Sequence, residues 1–126
     1  MDYNFEEFKE VGGRFKPIIS LGTRSDFGLS SGFTNAYDLK GVVGVKMFYD
    51  SAKKAVGFKF LTTKEDGMAN VVLRPKGGYI SAQSFIGKFK IDQAKYAGRY
   101  EPVEINDSVR GKIYVIELKE TQNPKN

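Results

Sequence analysis

The chain has 126 residues, with Lys+Arg 20 against Asp+Glu 15 and no His, Cys or Trp. Without His or Cys there is no Ser-His-Asp or Cys-His nucleophile pair, no imidazole base, no thiolate redox centre, no ordinary zinc site and no disulfide framework. What stays open is carboxylate, Lys or Tyr chemistry, or an all-oxygen metal site. One domain is expected at this length, large enough to bury roughly two thirds of its unfolded surface.

The charge is unevenly placed. Asp2, Glu6, Glu7 and Glu10 against Lys9 give residues 1–10 a net charge of −3, so the body, with 19 Lys+Arg and 11 Asp+Glu, carries +8. A basic body with pI ≈ 9.3 favours a polyanionic partner, nucleic acid first. The sequence has no apolar run of membrane-spanning length, and the acidic start lacks the order of a signal peptide. The expectation is a cytoplasmic protein without a membrane partner.

In chain order, residues 1–12 read as an acidic arm or short helix, with Phe5 and Phe8 three apart on one face and Gly12-Gly13 ending it. Phe15 to Leu21 reads as a strand, with Pro17 at its start or on a sheet edge. A short strand closes at Leu29. Ser30-Ser31 then caps a helix carrying Phe33, Ala36 and Tyr37. Val43, Val45, Met47 and Tyr49 alternate, Asp50 to Lys54 turns the chain, and Val56, Phe58 and Phe60 alternate again. That pattern is a β-hairpin with a polar, basic tip. Met68 to Leu73 is a strand and Arg74 to Gly78 a turn. Tyr79-Ile80 leads into a helix capped by Ser81, with Phe85, Ile86 and Phe89 on one face. Tyr96 to Ile105 and Lys112 to Leu118 form a last hairpin, and residues 121–126 read as a flexible tail.

An internal repeat organises these elements. Phe27, Phe33, Tyr37 and Leu39 align with Tyr79, Phe85, Phe89 and Ile91 at an offset of 52. Asp50, Ser51 and Lys53 align with Asp107, Ser108 and Arg110 at 57, as do Val56, Phe58 and Leu61 with Ile113, Val115 and Leu118. The expected fold is α+β, mostly β. Internally duplicated ββαββ units, at about 15–61 and 68–118, form one pseudo-twofold barrel or sandwich with two short helices inside a single domain over 13–120. One unit alone buries too little apolar surface and leaves open edges; two close the sheet.

The stretches Gly28-Leu-Ser-Ser-Gly-Phe33 to Phe60 and Gly78-Tyr-Ile-Ser-Ala-Gln-Ser-Phe85 to Ile116 resemble the tandem AbrB/MraZ swapped-hairpin barrel. That resemblance implies a DNA-binding regulator, although Ser81 stands where the family has Pro. A different cut, Val43 to Phe89 as four strands and a helix, resembles the Whirly and PUR-alpha-like single-strand binders. It implies Lys46, Phe48, Lys59 and Phe60 as a contact set, against the ordinary reading of Phe58 and Phe60 as core.

The candidate phosphate contacts are cations beside turns and helix ends: Arg24, Lys53, Lys54, Arg74, Lys76, Lys88, Lys90, Lys95, Arg99 and Arg110. Arg74 and Lys76 beside Gly77-Gly78 form the strongest pair, and the helix dipole alone also accounts for Lys88 and Lys90. The carboxylates at Glu65-Asp66 and between Glu101 and Asp107 match no acid/base or metal pattern, and no phosphate loop is present. The expected function is non-enzymatic binding of DNA or RNA, DNA favoured, without metal or cofactor and with a homodimer as a further partner. The rival is a protein-interaction or structural accessory module, of a phage type for instance, docking through its aromatic arm.

Overall fold

The computed structural model describes residues 3–4, 16–37 and 39–120. The arm expected over 1–12, apart from exposed Tyr3 and Asn4, and the tail expected over 121–126 lie outside the described residues. The described residues are mostly β, with three short helices where two were expected, the additional one being the four residues Gln93–Tyr96. The elements are β1 (Ile19–Leu21), β2 (Asp26–Leu29), α1 (Ser31–Ala36), β3 (Gly44–Asp50), β4 (Ala55–Leu61), β5 (Val71–Arg74), β6 (Gly77–Ser81), α2 (Gln83–Phe89), α3 (Gln93–Tyr96), β7 (Gly98–Tyr100), β8 (Val103–Asp107) and β9 (Gly111–Glu117).

They build two antiparallel sheets, ordered β5-β6-β2-β1-β7 and β3-β4-β9-β8. Exchanging β1β2 with β5β6, and β3β4 with β8β9, reproduces both orders read from the other end. Among the described strands only β7 has no counterpart. The centre of each sheet joins the two halves of the chain, β2 to β6 and β4 to β9.

Side chains alternate across the strands. Inward from the five-stranded sheet come Ile19, Leu21, Phe27, Leu29 and Ile80; from the four-stranded sheet come Val45, Val56, Phe58, Tyr114 and Ile116. All belong to one core, closed by Phe33 from α1, Ile86 from α2 and Tyr96 from α3. Phe27 and Phe58 meet edge to face across the sheets, with ring centroids 5.1 Å apart. No polar or charged residue is buried among the described residues.

Local chemistry explains the elements. Ser30 caps α1 by accepting the Phe33 N–H at 3.0 Å; it also accepts the Ile18 N–H at 2.9 Å and donates to the Lys16 carbonyl at 2.9 Å. One hydroxyl thus starts the helix and holds the entry to β1. The helix expected to be capped by Ser81 is capped differently: Ser81 ends β6, and buried Ala82 occupies the cap without a side-chain bond. Likewise, Gly77 and Gly78 are not a turn but the start of β6. A Cβ on Gly77 would meet the Leu29 carbonyl oxygen at 2.5 Å, and one on Gly78 the Val72 carbonyl oxygen at 2.4 Å. The glycines admit the chain's own backbone, not a phosphate. Tyr96 to Ile105 is not one strand either. It divides into the end of α3, then β7 in the five-stranded sheet, then β8 in the other, with Pro102 between the two strands.

The two long hairpins turn in the same way. Asp50 accepts the Ala52 and Lys53 N–H groups at 3.0 and 3.2 Å; Asp107 accepts those of Val109 and Arg110 at 2.7 and 3.0 Å. Lys54 and Gly111 follow in left-handed backbone, at φ 54° and 81°. Beyond these turns the expected repeat alignment fails by one residue. Asp50 closes on Ala55, whereas Asp107 closes on Gly111, a loop shorter by one. At an offset of 57, core-facing Val56 and Phe58 therefore fall on Ile113 and Val115, which share the opposite face with Ile105 and Val103. At 52, buried Phe27 falls on Tyr79, although its partner across β2 and β6 is Ile80. With a side-chain period of two, a one-residue slip moves every side chain to the other face.

Nothing lies within 4 Å of a Cβ built on Gly111, so its substitution tests backbone conformation alone. Gly111→Ala is expected to lower unfolding stability by about 1 kcal/mol. Lys54→Gly at the matching turn is expected to raise it by about 0.5 kcal/mol, both read from urea melts.

Candidate nucleic-acid interface

The ten cations expected to contact phosphate are all exposed, but they do not converge. In the four-stranded sheet, antiparallel β4 and β9 carry their hairpin tips to opposite ends: the Lys53-Lys54 tip lies beside Leu118, whose N–H reaches the Lys54 carbonyl at 2.8 Å, and Arg110 sits at the other end. In the five-stranded sheet the β1–β2 loop with Arg24 lies at the Ser81 end of β6, while the β5–β6 turn with Lys76 lies at the Gly77 end. Lys88 and Lys90 close α2, with Lys90 as its left-handed cap. Two of the ten are tied to acids. Lys95 pairs with Glu120 at 3.3 Å, which raises its pKa, and Arg110 pairs with Asp107 at 3.3 Å while lying 4.9 Å over the Phe48 ring.

The outward face of the four-stranded sheet carries three of the four residues implied by the single-strand resemblance. Lys46 and Lys59 are cross-strand partners, and Phe48 lies opposite Gly57 on the same face. Phe60 points the other way and packs on Phe33, with centroids 5.8 Å apart. Across this face runs a row of Phe48, Gly57, Val115 and Val103. Glu65 holds Lys46 at 2.7 Å, and that hydrogen bond and charge, with Lys59 adding to them, keep the Glu65 carboxyl below its usual range. The cations of this face are thus largely answered by the chain's own acids, and its centre is apolar.

The outward face of the five-stranded sheet is different. Its register places Val72, Tyr79, Gly28, Ser20 and Arg99 in one row across β5, β6, β2, β1 and β7. Gly28 and Ser20 make a low floor; a Cβ on Gly28 would lie 2.7 Å from the Ser20 hydroxyl. A shallow trough of about 320 Å³ opens over them, lined also by Ile18, Ser30 and Gly78, with Arg99 on one rim. On the other side stands half-buried Tyr79, with the Arg74 guanidinium 5.6 Å over its ring. Arg74, Lys76 and Arg99 form no ion pair among the described residues. Arg74 and Arg99 come from the expected set, whereas Tyr79, Gly28 and Ser20 do not. The one signal that finds them is cross-strand pairing, of Gly28 with Tyr79 and of Ser20 with Arg99, between distant segments of the chain. No group of three or more Asp or Glu residues is placed to hold a metal ion among the described residues, and no described helix is long and apolar enough to cross a membrane. Comparison of the chain with protein-family models, curated proteins and solved structures finds no match.

The Asp107 turn predicts a pH dependence. Hydrogen bonds from the Arg110 and Val109 N–H groups, and the Arg110 charge, hold its carboxyl below the usual value. Its contribution to stability is therefore complete above the unfolded pKa of about 3.9 and is lost as pH falls through the lower folded value. Asp107→Asn keeps an oxygen acceptor but cannot titrate. In unfolding titrations from pH 6 to 2 it is expected to lose stability less steeply than the parent chain below pH 4.

Proposed function

We propose that the chain is a non-enzymatic nucleic-acid-binding protein whose contact surface is the outward face of the five-stranded sheet. The observation that carries this reading is the outward row of the five-stranded sheet, with Arg99 on the rim of the trough at one end and Tyr79, the Arg74 guanidinium 5.6 Å over its ring, beside Gly28 at the other. Cations without acidic partners release counterions when they meet phosphate, and each such contact adds to affinity and to its salt dependence. Lys76 extends the positive rim at the β5–β6 turn, and the +8 body supplies long-range attraction. Relative to contact through every basic tip, this reading confines the site to one face. DNA is the favoured partner.

We further infer that the chain is a duplication of one ββαββ unit, with α3 and β7 inserted in the second copy. The exchange symmetry of both strand orders and the matching Asp50 and Asp107 turns support it.

A specific observation favours a second reading, a protein-contact module. Val103, Ile105 and Val109 are 60%, 41% and 84% exposed on one hairpin, and β8 is a sheet edge. Beside it a groove of about 680 Å³ is lined by Val103, Ile105 and Val115. If that hairpin carries the function, Val103→Lys with Ile105→Lys abolishes self-association in light scattering and leaves DNA titrations unchanged.

The main reading is tested by fluorescence anisotropy against labelled DNA at 50 and 200 mM salt. Arg74→Ala with Arg99→Ala is expected to weaken binding about tenfold or more and to flatten the salt slope by about 2. Lys53→Ala with Lys54→Ala, at a tip remote from the trough, is expected to change affinity less than twofold. Absence of binding at 50 mM salt, or equal losses in the two double variants, overturns the assignment.

A further inference from the structure

We infer that this face takes single-stranded nucleic acid in an extended path across the strands, with one base stacked on Tyr79. The inference rests on the nucleic-acid reading above and adds the class of ligand. Reading a duplex through its major groove requires a helix or a two-stranded ribbon that enters a channel about 12 Å wide. The helices among the described residues have six, seven and four residues, and Phe33, Ile86 and Tyr96 turn all three into the core. The long hairpins point to opposite ends of their sheet, and the cation of the β8–β9 tip is held by Asp107. Among the described residues no pair of projecting elements is left to straddle a double helix.

A single strand asks for something flatter, namely a positive path along its backbone and an aromatic surface for its bases. The five-stranded sheet offers both. From Tyr79 on β6 to Arg99 on β7 the row crosses three strand spacings, roughly 14 Å at about 4.8 Å each. That distance accommodates a few nucleotides of an extended strand. Between the ends lie only Gly28 and Ser20, so nothing on the floor obstructs the strand. Arg74 lies over one face of the Tyr79 ring, so a base stacks there by displacing the guanidinium towards its own phosphate or stacks on the guanidinium plane itself, and Arg99 meets a phosphate at the far end. A duplex keeps its bases paired and stacked, and gives Tyr79 no ring face to engage.

The test uses the full chain and three labelled 15-mers: single-stranded dT15, the same backbone without bases, and a mixed-sequence duplex. The expected result is at least tenfold tighter binding of dT15 than of the duplex. Tyr79→Ala should weaken dT15 about tenfold and leave the baseless strand within twofold. Tyr79→Leu, which keeps apolar bulk against Val72, should show the same loss, and Tyr79→Phe should restore binding. Duplex binding equal to or tighter than dT15 overturns the single-strand inference. So does an unchanged dT15 affinity in both Tyr79→Ala and Tyr79→Leu while Arg74→Ala with Arg99→Ala still weakens it; the nucleic-acid reading then stands. No binding of any probe at 50 mM salt overturns both.

Discussion

Phe27 occupies the position on which the rest of the structure depends. Its strand pairs with β6 of the other half, where Ile80 lies directly opposite, and its ring meets Phe58 of the second sheet. The contact makes one core out of two sheets, each of which is itself half from one end of the chain and half from the other. Neither half possesses a complete sheet, so neither has an apolar face it can cover alone. Truncating a ring in such a place costs about 3–5 kcal/mol, a large share of the roughly 5–15 kcal/mol that holds a domain of this size together.

That interlocking decides the outer surfaces as well. Because each strand alternates, filling the core with Phe27, Leu29 and Ile80 leaves Gly28 and Tyr79 outside, in register with Ser20 and Arg99. The same rule on the other sheet leaves Phe48, Gly57, Val115 and Val103 outside. The two outward faces then diverge in chemistry. One is apolar at its centre, with Lys46 and Arg110 bound to neighbouring acids. The other is small-floored, with Arg74 and Arg99 outside any ion pair among the described residues. Charge alone does not separate them, since both are rich in cations. What separates them is where the carboxylates fall.

Much of the local structure was legible. Ser30 as a cap, the alternation through Val45 and Phe58, and the turns begun by Asp50 and Asp107 all follow from interactions among residues close in sequence. Phe58 is core, as its spacing implied, and Phe60 packs against that core. The failures share a cause. Gly77-Gly78 reads as a turn because the carbonyls that exclude a Cβ there belong to Val72 and Leu29, and the latter is far away in the chain. Tyr96 to Ile105 reads as one strand because nothing nearby shows that β7 and β8 join different sheets. The two turns that the alignment matched do make the same bonds, from Asp50 and from Asp107, but along the strands its offset is wrong by one, which exchanges inside for outside.

By itself, the sequence determined the residue chemistry at hand, the uneven charge, the hairpins and their Asp turns, because these depend on composition and on contacts within a few residues. It also determined that half of each alternating strand must be buried. Only the tertiary structure decided which strands from the two halves lie side by side, and so which residues share an outward row. Gly28 and Ser20 pair locally, but the pairings of Gly28 with Tyr79 and of Ser20 with Arg99 join distant segments of the chain, and no local pattern records them. Tyr79, Gly28, Ser20 and Arg99 become one surface for that reason alone.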